Sequence, residues 1–440
     1  MLLAGIAERV RFSISRIRER LWIKPLFIGV LSIAAALVAK AADSTKLDQI
    51  LPPISAESID DLLSIMAASM LVIATFAVAS MVSAYSSASN TASPRSFPLV
   101  IADDSSQHAL SAFVGAFIFS IVGLVSLKNG YFETAGRFVL FIFTVTVFGI
   151  VIFTFVRWVD RIARLGRLGN TIDKVEVATA AALKRRRHAP AHRGVAADPE
   201  HASGQAVFGD SVGYVQRIDV AALQSHAENV NARIQVAVLP GSFVTPDRAL
   251  AFIGTDLHAK ADLDYEQLAD AFEIGKERRF DDDPRYGLIV LSQIAGRALS
   301  PAINDPGTAI DVMGILVRLL ILWGSPSEVD TSVEVKYDLV EVPELSTQDM
   351  FDDAFTAISR DGSGSVEVAI RIQKALSSLA SIGNAAMRDA AIHHAQRALA
   401  YAEKGLALPE DVALIREMAG FACDQIDLER KGLPSKQSYT

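Results

Sequence analysis

The sequence predicts a membrane α-helical region of four transmembrane helices, followed by a cytosolic α+β domain with a small β module and a mainly helical remainder. Three observations point there. Four apolar stretches crowd the first 160 residues, the charges flanking them are asymmetric, and from residue 161 onward the chain reads as ordinary water-facing sequence. With 440 residues, the chain is long enough for two or three units that each bury a core. Its 51% hydrophobic content is high for a soluble protein, but the excess is concentrated in those four stretches.

The spans are expected at 22–41, 63–84, 109–127 and 136–156, within a membrane domain over 1–160. Each has roughly the ~20 apolar residues that carry a helix across the ~30 Å hydrocarbon layer. A helix satisfies its own backbone there, where lipid offers no partners. Lys24 and Pro25 shorten the first stretch, and its basic upstream segment resembles a signal peptide; three further spans argue against cleavage. Residues 1–20 read either as a basic helix lying on the membrane or as a basic tail.

Arg9, Arg11, Arg16, Arg18, Arg20 and Lys24 precede the first span, and Arg157, Arg161, Arg164, Arg167 and Lys174 follow the fourth. The 42–62 loop is acidic, with Asp43, Asp48, Glu57, Asp60 and Asp61 against Lys46. By the positive-inside rule both termini are cytoplasmic in a multi-pass protein of a bacterial inner (plasma) membrane. The net charge of -8 says little about nucleic acid, because the basic residues concentrate beside the membrane, where they suit lipid headgroups; the partner expected is the bilayer, and no nucleic acid. Cys423 is the single cysteine, which excludes an intrachain disulfide and fits a cytoplasmic domain.

Residues 161–204 read as a basic juxtamembrane helix and linker. Short runs at 213–218, 232–239 and 248–253, with Pro240-Gly241 as turn chemistry, predict a small β module over 205–256. It resembles the barrel-sandwich of biotinyl and lipoyl carriers but has no lysine at the hairpin tip. The mainly helical cytosolic domain over 257–440 should hold helices at 264–279, 284–299, 306–322, 347–360, 364–382, 384–404 and 409–430, with strand content in 332–342.

The densest cluster of unusual residues runs from Arg297 through Ser300-Pro301-Ala302-Ile303-Asn304-Asp305-Pro306 to Thr308. Asp305 before Pro306, and Asp283 before Pro284, each read as a helix cap followed by proline at the first helical position. As a site, helix-start N–H groups and guanidinium from Arg278, Arg279 and Arg297 suit a small anion or phosphate, with Asp283, Ser300, Asn304, Asp305 and Thr308 around it. The other reading is a tight helical corner. A divalent-ion site using Asp281, Asp282, Asp283 and Asp305 is the weaker alternative, because consecutive aspartates rarely all point inward; no metal is assigned.

These residues also carry a family resemblance. The 297–309 string, Lys276-Glu277-Arg278-Arg279 with Asp282-Asp283-Pro284-Arg285-Tyr286-Gly287, and the Ser93-Pro94-Arg95 loop resemble the bacterial domain-of-unknown-function family 2254, predicted membrane proteins. Arg278 and Asp283 match that family's pattern, whereas Arg279 and Asp282 replace a threonine and a glutamine. The resemblance covers most of the chain and implies an amino-terminal membrane region and a cytoplasmic domain, with no activity attached. Ser93, Pro94 and Arg95 lie in the 85–108 link between spans two and three, on the expected side of the soluble domain, which makes them candidates for coupling the two.

Other motifs carry little chemistry. Gly209-Asp210-Ser211-Val212-Gly213 matches a hydrolase elbow in letters but lacks the strand before and helix after. His393 and His394 point about 100° apart on a helix and cannot share a metal as an i, i+4 pair could. Asp361-Gly362-Ser363-Gly364-Ser365 lacks the ligand series of a calcium loop. No catalytic residue is assigned and the cofactor is unknown. Small residues at Thr75, Ala79 and Ser83, and at Ala112, Ala116 and Ser120, permit close helix packing, within the chain or in a homo-oligomer. The leading function is a membrane-anchored ligand-sensing or assembly protein that binds a small anion or a protein partner. The alternatives are an oligomeric channel or transporter gated by the cytosolic domain, and a membrane-bound enzyme.

Overall fold

The computed structural model describes residues 23–44, 51–101, 104–162, 167–197, 204–254, 264–325 and 335–422. The basic 1–20 segment, Asp103, Arg164, His201 and Cys423 lie outside them, as do parts of the expected linker, of the 332–342 stretch and of the last helix. The chain divides into two compact units, Met1–Thr171 and Ile172–Thr440.

The first unit is helical: α1 (Ile23–Ala42), α2 (Ala56–Thr91), a 3-10 turn (Pro94–Ser96), α3 (Phe97–Ile101), α4 (Asp104–Lys128) and α5 (Thr134–Ile162). Helices α1, α2, α4 and α5 pack around a core that includes Ile59, Leu63, Met66, Phe113, Phe119, Leu140 and Trp158. Their outer faces are apolar too, with Leu26, Val30, Val72, Phe76, Ile152 and Val156 exposed, the pattern of helices surrounded by lipid rather than water. Three stretches, Ala56–Ser87, Gln107–Lys128 and Thr134–Ile162, are long and apolar enough to cross a membrane; at the first expected span the apolar helix is the shorter Leu26–Ala42. Asp43 follows α1 and caps α5, accepting from the backbone N–H of Glu133 at 3.0 Å and of Gly136 at 2.5 Å. An acidic loop residue thus fixes the entry of the fourth helix.

The 85–108 link differs from expectation. Helix α2 runs on to Thr91, and Ser93 then caps the 3-10 turn by accepting from Arg95 N–H at 3.3 Å, with Pro94 inside it. Proline can start a helix but not continue one, which is why the chain breaks at 94. Of the small-residue faces, Ala116 and Ser120 are buried while Thr75, Ala79 and Ser83 are exposed, so the Thr75, Ala79 and Ser83 face is not used for packing among the described residues of the unit.

The second unit begins in α6 (Leu168–His188), which leads through a 3-10 turn (Pro190–Arg193) into β1 (Gly194–Ala196). The part read as linker therefore includes a strand. Next come β2 (Gln205–Val207), β3 (Gly213–Ile218), α7 (Val220–Val230), β4 (Arg233–Val236), β5 (Phe243–Val244), β6 (Ala251–Gly254), α8 (Tyr265–Ala269) and β7 (Phe272–Gly275). They are followed by α9 (Pro284–Ala298), α10 (Pro306–Gly324), β8 (Tyr337–Val342), α11 (Thr347–Asp361), α12 (Val366–Ile382), α13 (Ala385–Gly405) and α14 (Pro409–Met418).

The strands form a mixed sheet ordered β1-β8-β4-β6-β2 and a second sheet ordered β5-β3-β7. The β layer therefore draws on 194–196, 272–275 and 337–342 as well as 205–256, and the barrel-sandwich likeness is not what forms. One reason is α7, a helix between two of the expected strand runs: Asp219 caps it through Ala222 N–H and Asn231 ends it in the left-handed region. Its Leu223 and Ala227 join Val207, Ile234, Val236, Ile253, Val340 and Val342 in the core. Likewise 264–279 is not one helix. The short α8 gives way to β7, because Phe272 and Ile274 pair with β3, a tertiary choice that outweighs local propensity.

The helices from α9 onward form the body of the unit, α9 packing on α10 and α11, α10 on α12, and α13 on α11 and α12. Leu288, Leu291, Val312, Leu316, Phe351, Phe355, Leu376 and Leu379 are fully buried. Helix α10 is also apolar and long enough to cross a membrane. Its face bearing Ala309, Val312, Met313, Leu316 and Leu320 is instead covered by neighbours, and Arg318 pairs with Glu176 of α6 at 2.9 Å.

Candidate functional site

The eight expected binding residues fall into two groups at opposite ends of α9. Its 15 residues separate Asp283 at one end from the 297–308 corner at the other by about 22 Å, at about 1.5 Å per residue. The expectation that these groups converge is corrected by that length: the Asp-Pro devices start successive helices, and an intact helix lies between them.

At the first end Asp283 caps α9, accepting from Tyr286 N–H at 3.1 Å, with Pro284 at the first helical position. Its carboxylate also receives Arg278 in a two-pronged pair, Nε to Oδ2 at 2.7 Å and Nη2 to Oδ1 at 3.0 Å. The Arg278 guanidinium lies 5.3 Å from the centre of the Tyr286 ring, and Tyr286 in turn packs on Phe280, ring centres 4.6 Å apart. Burial pushes the Asp283 carboxyl up, against the pull of Arg278 and the Tyr286 N–H. The backbone of Gly241 closes over this pair, so the Pro240-Gly241 turn, read only as turn chemistry, is a wall of the cluster.

Beside it Arg285 joins α9 to α11, donating to Asp353 at 2.6 Å and to Asp349. Burial raises the Asp353 carboxyl as well. Sequence reasoning missed Asp349 and Asp353, whose only signal was an amphipathic helix with an acidic residue, Asp349, in its first turn. Arg279 is likewise engaged in an interaction. A second cationic group lies on α6. Arg185 donates to the carbonyl of Asp281, and Arg187 donates to the carbonyls of Leu322 and Ser325, closing the end of α10. Arg186 is buried, bonded through Nη2 to the carbonyl of Pro343 at 3.2 Å, and desolvation lowers it to about 10.

At the other end the polar groups satisfy one another. Asp305 accepts from Thr308 N–H at 3.0 Å and Thr308 Oγ1 at 2.6 Å, and the Thr308 hydroxyl holds the Asp305 carboxyl below its ordinary value. Ser300 Oγ donates to the carbonyl of Arg297 at 2.6 Å. Asn304 N–H donates to Ser300 and Asp305 N–H to Ala298, both at 2.8 Å. Asn304 sits at φ 50°, the left-handed conformation that asparagine tolerates. The Nε of Arg297 is buried without a hydrogen-bond partner. The corner is thus a hydrogen-bonded helix junction in which a buried donor, Nε of Arg297, is left unpaired. Among the described residues, no group of three or more His, Cys, Asp or Glu is placed to hold a metal ion.

The chain matches the family described as "Predicted membrane protein (DUF2254)" over residues 18–378. It is 35% identical over 104 residues to "Uncharacterized protein MT1328" of Mycobacterium tuberculosis (strain CDC 1551 / Oshkosh), 23% of this chain and 20% of that protein. The same identity and coverage hold for "Uncharacterized protein Mb1321c" of Mycobacterium bovis (strain ATCC BAA-935 / AF2122/97). The chain therefore spans about a fifth of the length of these curated relatives. No solved structure matches it. With the family pattern covering most of its length, including the 278–308 residues just described, this chain belongs to the DUF2254 family of predicted membrane proteins.

Proposed function

We propose that this is a membrane-anchored ligand-sensing protein, in which α1, α2, α4 and α5 cross a bacterial inner membrane and the second unit lies in the cytosol. The ligand is a small anion received by Arg278 at the start of α9. One observation carries this reading. A single buried carboxylate, Asp283, both caps α9 and holds Arg278, so an anion that competed for Arg278 would release the cap and loosen the helix start. Charge-assisted pairs of this kind are strong and geometrically exclusive, which suits a two-position device. Ser93, Pro94 and Arg95 are the proposed route by which such a change reaches the spans.

The test is thermal unfolding of the full chain in detergent with millimolar inorganic phosphate or citrate. A rise of several degrees that disappears in Arg278→Met supports sensing, and identical shifts in both proteins, or none, oppose it. An oligomeric channel is the second reading, favoured by the exposed Thr75, Ala79 and Ser83 face, since four helices packed together leave no lumen and a pore needs several copies. Ion flux through vesicles carrying the purified protein separates the two readings.

A further inference from the structure

We propose that the cleft between the start of α4 and the basic end of α5 is a binding site for a phosphate-bearing group, supplied by an anionic lipid headgroup or by a soluble phosphate ester. The site is a cleft of about 270 Å³ lined by His108, Phe153, Thr154, Arg157, Trp158 and Arg161. It lies wholly within the first unit and is separate from the Arg278 cluster.

Three features of the cleft select its ligand. The first is an orphan donor. Trp158, one of the residues lining the cleft, is 3% exposed, and its indole Nε1–H is buried with no hydrogen-bond partner. A buried N–H left unpaired is costly, and indoles at a membrane boundary ordinarily give theirs to an interfacial acceptor. The ring cannot swing away to find water, because Phe76, Phe113 and Phe155 surround it at centre distances of 6.1, 6.0 and 6.1 Å. The second is charge: Arg157 and Arg161 are one turn apart on α5, with His108 facing them from α4. Guanidinium groups match phosphate geometry better than ammonium groups do. Among the described residues none that lines the cleft is a carboxylate, and Arg161 is engaged in a further interaction as well. The third is polarity. Arg157 lies 5.6 Å from the centre of the Phe153 ring, which is itself 63% exposed on the apolar flank of α5. The cleft therefore grades from cationic to apolar, as a headgroup with acyl chains would. Its volume sits below the range of pockets that enclose a drug-sized molecule and suits a headgroup.

The experiment is native mass spectrometry of the full chain released from detergent, with added phosphatidylglycerol or phosphatidylcholine. The proposal expects retained phosphatidylglycerol, little phosphatidylcholine, and roughly tenfold weaker retention in Arg157→Gln/Arg161→Gln, the loss expected for about one charge-assisted hydrogen bond. Trp158→Phe keeps the aromatic packing, removes the donor and should also weaken retention. Arg137→Gln, near the other end of α5, should leave it unchanged. If millimolar glycerol 3-phosphate binds the lipid-free chain and displaces phosphatidylglycerol, the source is a soluble ester; if it does neither, the source is lipid. Equal retention of the two lipids, or retention indifferent to both the arginine and the Trp158→Phe substitutions, overturns the site. Should the double arginine variant fail to fold, Trp158→Phe and the comparison of the two lipids still decide.

Discussion

Gly241 and Asp283 meet across the boundary between the β layer and the helical body: a β-carbon at Gly241 would stand 2.7 Å from Cγ of Asp283 and 2.8 Å from Nη2 of Arg278. Gly241 also sits at φ 94°, where a side chain is strained whatever the space. The turn is held by Gly241 N–H donating to Val215 at 2.8 Å, so it cannot easily withdraw. Gly241→Ala should therefore destabilise the second unit by about 2 kcal/mol or more, combining backbone strain with the displaced ion pair. Thermal unfolding of the full chain in detergent measures it, and a loss within about 0.5 kcal/mol, the size expected of an unremarkable surface change, would show that the contact is not tight.

The Arg278–Asp283 pair is buried enough that its two halves should be strongly coupled. Removing one partner of such a pair costs about 3–5 kcal/mol, because the other charge is stranded. Arg278→Met and Asp283→Asn should each destabilise, Asp283→Asn keeping a capping oxygen for Tyr286. The double variant should recover a large part of the loss. A double-mutant cycle on unfolding free energies reads the coupling directly, and additive losses would refute it.

Acid should weaken the second unit through its buried histidines. His394 is 1% exposed among Phe351 and Phe355, and desolvation lowers it to about 4; His192 is lowered to about 3 by the same cause. Asp352 lies 3.3 Å from Nε2 of His394 and pulls the other way, but that nitrogen makes no hydrogen bond, and desolvation dominates. Between about pH 4 and 6.5 the unfolded chain binds the His394 proton and the folded chain does not, so stability rises with pH. The contribution is full above pH 6.5, is lost as pH falls toward 4, and amounts to at most about 3 kcal/mol. His394→Leu should flatten the change in melting temperature between pH 5 and 7.5.

At the 297–308 corner, Asp305→Ala should cost about 1 kcal/mol, the usual value of a lost helix cap. Asn304→Gly should be nearly neutral at φ 50°, whereas Asn304→Val, with a branched β-carbon, should cost more than 1 kcal/mol. These are thermal-unfolding measurements. A ligand-induced shift that vanished in Asp305→Ala while stability held would instead make the corner a binding site.

Most of the helical architecture was legible from sequence, because it rests on local chemistry. Asp-Pro pairs at 283–284 and 305–306 mark helix starts, Ser365 caps α12 as its position before an apolar run suggests, and apolar periodicity identifies buried faces. The β layer was less legible. Strand β8 pairs in parallel with both β1 and β4, partners more than 100 residues away, and a chain segment carries no local mark of such a neighbour. Segment 264–279 reads as helix until Phe272 and Ile274 find β3.

The candidate site divides along the same line. Sequence alone determined which residues cap helices and which stretches are apolar enough to cross a membrane, since both follow from a few adjacent side chains. It also carried the match to the family over residues 18–378. Only the tertiary structure decided what those residues meet. It separated the two Asp-Pro groups by the length of α9, and it set Gly241 against Asp283 and Arg285 against Asp349 and Asp353. It also left the Trp158 indole unpaired beside Arg157 and Arg161. The physical reason is that capping and hydropathy are properties of neighbours in sequence, whereas burial and pairing depend on neighbours in space.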